Sequence, residues 1–433
     1  MLNLQAYCVY ARVHVVTDMS RVEQIRSLFP ALSRKVYGKD LVYFDNAATS
    51  QRPQSVLDVW NKISSESNAN IHRAVHCLAE EATHAYEQSR DAVKYYLNAE
   101  SREEIIFTSG TTAAINLVAF CFGEAFINAG DEVVVTEAEH HSNIVPWQMM
   151  CKRKGAVLKV LPVDDSGHLM VDRLDEILSD KTRIMAVTHI SNVLGIINPI
   201  KEIVEKCHSK GVAVLVDGAQ GIVHCDVDVR DLDCDFYVFS GHKLYAATGT
   251  GVLYGKKKWL DVMPPYMGGG EMVGTVTFEE TTYAPLPMKF EAGTQNFASI
   301  ATLESAICFV NSLKSNDILN KNELTENTDS IRDYLLEKLT EKENIRVYGV
   351  PRGTKDEKIP LFSFTVDGVH HEDLALILDK MGVAVRSGQM CAEPLMARFG
   401  VTGMLRVSLA PYNTMEEAEY FVKCLDRAIN MLI

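Results

Sequence analysis

Lys243 is the side chain with the most chemistry in its surroundings. It follows the apolar run Phe236-Tyr237-Val238-Phe239 and the turn Ser240-Gly241-His242, and a second apolar run, Gly251-Val252-Leu253-Tyr254, leaves on the far side. Both runs have the length and the β-branched and aromatic content of buried strands. A glycine-punctuated turn between them is a poor place for ordinary surface charge. Burial disfavours the ammonium and lowers its pKa, and an amine of that kind forms Schiff bases. A lysine snorkelling from a strand end is the alternative.

Other polar groups sit at the ends of similar runs. Val214-Leu215-Val216-Asp217 is a strand ending in an acid, 26 positions before Lys243. Asp217 suits a capping residue, a metal ligand or the partner of a cationic ring nitrogen. Ser109-Gly110-Thr111-Thr112 offers hydroxyls and backbone N–H groups at a helix start, either as simple capping or as a phosphate cup. It is no P-loop, because no Gly-Lys-Ser/Thr follows. Ser240 and His242, flanking the lysine, would close on the same phosphate. His140 and His141 end another strand. No third ligand lies at a suitable spacing for zinc, so no metal is expected, and a ring stacking on a planar cofactor is favoured. Amine, carboxylate and hydroxyl cup together meet the needs of pyridoxal phosphate.

These groups need a scaffold, and the sequence describes one. DEVVVTEAEHHSN, AVLKVLPVD, RIMAVTHISN and GVAVLVDGAQ each place a β-rich run before a polar turn, most with helical segments between. Such alternation implies an α/β fold whose mostly parallel sheet is covered on both faces, with ligands at the strands' carboxyl ends. Helices are expected over 21–29, closed by Pro30, and over 78–96 and 113–122; strands over 41–44 and 104–107. From Ser299 onward the texture changes. Ile300, Leu303, Ile307 and Val310 recur at helical spacing, and helices near 322–339, 372–381 and 416–433 alternate with strands at 361–366 and 405–409. The expected division is 36–298 as a large cofactor-binding domain and 299–433 as a smaller α+β domain. Residues 19–35 would pack on the latter, and 1–18 form an extension of uncertain role, Met19 being the favoured start.

With 433 residues, 47% apolar and 23% charged, the chain can bury a substantial core. A net charge of −14 argues against nucleic acid as a partner. Ten cysteines without a C-x-x-C pair suit a reducing cytoplasm. No run reaches the roughly 18 apolar residues of a membrane span.

FTSGTT, EHHSNIVPW, THISNVLG, VDGAQ, SGHKLY and FEAGT, in that order, resemble the class V aminotransferase superfamily. More narrowly, the chain is similar to the group II, SufS-type cysteine desulfurases and their selenocysteine-lyase relatives. The likeness runs from about Ser20 to the C-terminus. It implies the pyridoxal-phosphate transferase fold type I and a homodimer. Lys243 would hold the cofactor and move the substrate's Cα proton, and Asp217 would keep the pyridine nitrogen protonated. Gln220 would meet the phenolic oxygen, and His140 would stack on the ring with a catalytic part. Thr111, Thr112, Ser240 and His242 would bind the phosphate, with Thr294 reaching the phosphate of the neighbouring subunit. Asn192, Arg406, Arg386 and His72 would hold the substrate. An arginine fork suits a carboxylate, and a surface ion pair is the less favoured alternative for Arg406.

The last motif is Arg386-Ser387-Gly388-Gln389-Met390-Cys391-Ala392-Glu393-Pro394-Leu395. A loop cysteine alone is more often inert than reactive, but the resemblance makes Cys391 the nucleophile that takes sulfur from L-cysteine as a persulfide and leaves L-alanine. Relatives commonly carry two histidines where Gln389 and Met390 stand, Gly-Pro where Ala246-Ala247 stand and glutamate at Ala113. Glu372 replaces a histidine of relatives that serve a zinc-type acceptor, which favours a SufE-type acceptor and, through it, the SUF scaffold of iron–sulfur assembly. The alternative is a selenocysteine lyase or another β-eliminating lyase. A sulfur-relay scaffold would lack Lys243 or Asp217, and an ordinary aminotransferase would have no use for Cys391.

Overall fold

The computed structural model describes residues 20–314, 321–350, 353–354 and 357–433, with the side chains of 321–325 left aside. The expected extension over 1–18 and the start at Met19 lie outside these residues. Seven strands form the main sheet: β1 (Ile105–Thr108), β2 (Glu132–Thr136), β3 (Val157–Leu161), β4 (Thr182–Thr188), β5 (Ala213–Asp217), β6 (Phe236–Ser240) and β7 (Gly251–Gly255). Their order is β1-β7-β6-β5-β4-β2-β3. Strands β3, β2, β4, β5 and β6 pair in parallel, whereas β7 runs antiparallel to both β6 and β1. AVLVD and FYVFS are buried at every position, as expected of central strands covered on both faces.

Reversal of β7 sets the register of the site. Gly251 lies opposite Ser240 on one side and Thr108 on the other. A Cβ at Gly251 would stand 2.4 Å from Gly110 Cα, so glycine lets the turn after β1 close against the turn after β6.

A second, antiparallel sheet runs in the order Ile345–Val347, Leu361–Val366, Met404–Ser408, Arg386–Gly388. Helices His371–Lys380 and Met415–Leu432 pack on it around Phe362, Phe364, Leu405, Phe421 and Leu425. The N-terminal residues return to this region. Val42–Tyr43 pairs in parallel with Val383–Ala384, and Arg26 Nη1 lies 2.8 Å from Glu417 Oε1.

Two local expectations differ from the structure. The first helix ends at Ser27, and Pro30 opens a separate 3₁₀ turn, where its fixed φ suits a first position. A helix at Gln54–Glu66 went unforeseen because only Val56 and Ile63 are buried along it.

One buried ion pair braces the sheet. Glu291 accepts from Arg90 Nη1 at 2.7 Å and Nη2 at 2.9 Å, from Tyr86 Oη at 2.7 Å and from the Phe107 N–H at 2.7 Å. Removing one partner strands a buried charge. Arg90→Leu is expected to lower stability by about 3–5 kcal/mol, read as a drop in the urea unfolding midpoint.

Candidate active site

The turns after β1, β2, β4, β5 and β6 converge on a cavity of about 530 Å³. Lys243 lines it at the end of the turn Gly241–Lys243. Ser50 locks that turn, its N–H and Oγ donating to the His242 carbonyl at 3.2 and 3.0 Å while its Oγ accepts from the Tyr245 N–H at 2.9 Å. Withdrawal from water lowers the Lys243 amine to a pKa of about 8; Asp217 opposes the shift, and Arg406 adds to it. The lysine does not snorkel outward.

Asp217 is buried at the end of β5, and its Oδ1 accepts from the Ala219 N–H at 2.9 Å. Burial raises its pKa, with the Ala219 bond and Lys243 pulling the other way. Gln220 Nε2 donates to the Ala47 carbonyl at 2.7 Å. His140 Nδ1 and Ser142 Oγ lie 2.5 Å apart. Burial, then Lys243, lowers His140 to a pKa of about 4, so its ring is neutral near pH 7 and suits stacking.

The expected phosphate cup is assembled from two turns. Helix Thr111–Phe126 begins at Gly110 with no side-chain cap. The Thr111 N–H instead donates to Ser240 Oγ at 2.8 Å, and the two hydroxyls lie 2.8 Å apart. Thr112 and His242 line the same cavity. His242 Nδ1 is 3.2 Å from Thr49 Oγ1, and burial keeps its pKa near 4, so it faces the cup as a neutral ring.

Arg406 is 2% exposed, which removes the surface-pair reading. Its Nη1 donates to the Asn192 carbonyl at 2.8 Å and its Nη2 to Asp45 Oδ1 at 3.1 Å, whereas its buried Nε–H has no partner among the described residues. Half-exposed Arg386 lies 3.8 Å from the other Asp45 oxygen. Asn192 Nδ2 donates to the Met390 carbonyl at 2.8 Å, tying β4's turn to the segment that carries Cys391. Cys391 is exposed and lines the cavity, while burial pushes Cys121 and Cys207 up to about 12.

His72 and Thr294 are not among the lining residues. His72 Nε2 meets Glu87 Oε1 at 3.1 Å, and Thr294 is exposed three residues beyond the buried Glu291. Sequence reasoning missed Asp45 and Glu139. Glu139 accepts from Thr136 Oγ1 at 2.6 Å, Asn143 Nδ2 at 2.7 Å and the Thr188 N–H at 2.8 Å, and burial raises its pKa to about 8. The acid preceding His140 was the only available hint. Among the described residues no group of three His, Cys, Asp or Glu could hold a metal.

Residues 42–421 match the class V aminotransferases. The chain belongs to that family. It is 43% identical, over 96% of its length and all of the relative's, to a probable cysteine desulfurase of Vibrio cholerae. Identity to a cysteine desulfurase of an Enterobacter species is 45%, over 95% of this chain and 99% of that one. Among solved structures, the S-sulfonic acid form of the Escherichia coli cysteine desulfurase CsdA superposes with a TM-score of 0.85 at 39% identity, covering 96% of this chain and all of that one. An apo cysteine desulfurase of Thermococcus onnurineus gives a TM-score of 0.87 at 33% identity, covering 96% and 99%. The family carries pyridoxal phosphate, and the architecture is the expected fold type I. The cavity fits that group: an amine of lowered basicity, a buried acid, a neutral ring and a hydroxyl-lined helix start face one space.

An amine of pKa about 8 is mostly protonated at pH 7 and free at pH 9. Cofactor-free protein mixed with pyridoxal phosphate should therefore develop its absorption band at a rate that rises through pH 8. Asp217→Asn removes charge that supports the ammonium and should move that midpoint lower.

Proposed function

We propose that the chain converts L-cysteine to L-alanine and keeps the released sulfur as a persulfide on Cys391. The observation that carries this reading is an exposed thiol on the same cavity as an amine of lowered pKa, whereas the other exposed thiol among the described residues, Cys77, is not among the lining residues. Pyridoxal phosphate, when bound, supplies a protonated ring that accepts electrons from the substrate's α-carbon. Lys243 holds the carbonyl group and then moves the Cα proton. Asp217 keeps the ring nitrogen protonated, Gln220 meets the phenolic oxygen, and His140 stacks on the ring. Thr111, Thr112, Ser240 and His242 take the phosphate. Arg406, with its unpaired Nε–H, and Asn192 take the substrate carboxylate, and Arg386 adds charge at the mouth.

Sulfur transfer then balances without an outside oxidant. The Cys391 thiolate forms a bond to the substrate sulfur, and the bond from that sulfur to Cβ breaks. The electron pair stays with the carbon skeleton, which takes up protons and leaves as alanine. Thr294, exposed and outside its own cavity, reaches the phosphate of a second copy in a homodimer.

The group II, SufS-type assignment rests on the Arg386–Leu395 motif. Exposed Glu372, in the first turn of helix His371–Lys380, supports a SufE-type acceptor feeding iron–sulfur assembly through the SUF scaffold in a reducing cytoplasm. No helix among the described residues is long and apolar enough to cross a membrane.

Incubation with L-cysteine should add one sulfur atom to Cys391 by mass spectrometry, and Cys391→Ala should abolish alanine release while retaining the cofactor band. Undiminished alanine release from L-selenocysteine by that variant would move the assignment to a lyase. Arg406→Lys keeps the charge and loses the fork, so kcat/KM for L-cysteine should fall by about 10- to 100-fold.

A further inference from the structure

Cys391 is presented by a backbone that its own sequence does not favour. Met390 and Cys391 sit consecutively in the left-handed region, at φ +53° and +55°. Side-chain-bearing residues hold that conformation only where the surroundings over-determine it. The segment's own bonds are few: the Ala392 N–H donates to the Gln389 carbonyl at 2.9 Å, and Gln389 Nε2 to Glu393 Oε1 at 3.3 Å. The Met390 side chain and Ala392 are buried, which anchors the turn without aiming the thiol.

The remaining bonds come from the turns of the main sheet. Asn192 holds the Met390 carbonyl, as described. His141, which ends the run after β2, grips both sides of the cysteine. Its backbone N–H donates to the Cys391 carbonyl at 2.7 Å, and its ring Nε2 accepts from the Glu393 N–H at 3.1 Å. Glu393 opens helix Glu393–Phe399, so its amide has no partner within the helix and needs an outside acceptor. That bond requires a neutral ring with its proton on Nδ1. The adjacent ring of His140 lies 6.3 Å away, tilted by 49°, and meets Ser142 Oγ instead of the Cys391 segment.

We propose that His141 is a positioning residue for Cys391. Its amide and ring hold the strained turn so that the thiol is presented at the cavity of Lys243 when the substrate sulfur arrives. The proposal rests on Cys391 as the sulfur acceptor, and it gives the His-His pair a divided duty: His140 toward the cofactor, His141 toward the thiol. Loss of the grip leaves cofactor and substrate binding intact and slows the sulfur step alone.

The test compares His141→Leu and His141→Gln with wild type as the cofactor-loaded enzyme. Leucine cannot accept a hydrogen bond, whereas the glutamine amide oxygen reaches the place of Nε2. In His141→Leu, hydrogen exchange at the Cys391–Glu393 amides should rise about tenfold or more. Persulfide formation on Cys391 should slow by about 10- to 100-fold, with the cofactor band and the spectral titration with L-cysteine unchanged. His141→Gln should recover most of both losses. Wild-type exchange in His141→Leu overturns the proposal, as does wild-type persulfide formation despite raised exchange. Equal loss in both variants overturns the role of the ring acceptor. If wild type itself forms no persulfide, the desulfurase reading falls, and the exchange data still decide whether His141 holds the turn.

Discussion

The site depends on withdrawing one amine from water without surrounding it with enough negative charge to keep it protonated. Lys243 meets this condition because it is withdrawn from water and its cavity sets one acid, Asp217, against two arginines. Asp217 favours the ammonium, Arg406 and Arg386 oppose it, and burial decides the outcome at a pKa of about 8. Adding an unpaired acid at this depth would restore an ordinary lysine. The Asp45 carboxylate is engaged by Arg406 and flanked by Arg386.

An arrangement of this kind needs groups from distant parts of the chain held to within tenths of an ångström. Parallel strands supply this by ending together, so that five turns open on the same side of the sheet. Glu139 then joins β2, β4 and the turn at Asn143 through one carboxylate, and Ser50 clamps the lysine turn. Glu291 braces β1, whose end leads into the cup at Thr111. Each is a buried acceptor or hydroxyl surrounded by donors, the arrangement that makes a buried polar group stabilising instead of costly.

Much of the fold was legible because its strongest signals are local. AVLVD and FYVFS read as central strands from composition alone, and the acid, hydroxyl or lysine following each run marked the sites. Strand direction was not legible: the apolar pattern of β7 is the same whichever way it runs, and only pairing with β1 and β6 reverses it. Helix Gln54–Glu66 was missed because two buried residues are too few to show a period. At the site, Asn192 was foreseen as a carboxylate ligand, yet its amide also holds the Met390 carbonyl, 198 residues away in sequence. Arg406 was foreseen as a carboxylate fork with a surface ion pair as the alternative, and only its burial removed that alternative.

The chemical repertoire was determined by the sequence itself: a lysine after a buried strand, acids and hydroxyls after others, and a cysteine in a short motif. Those features depend on residue type and near neighbours, which a linear reading contains. How far the Lys243 amine is desolvated, which donor of Arg406 stays free, and what holds Cys391 in a left-handed turn were decided by tertiary structure. Each is a balance of contacts between residues separated by tens to hundreds of positions, and such balances exist only once the chain has closed on itself.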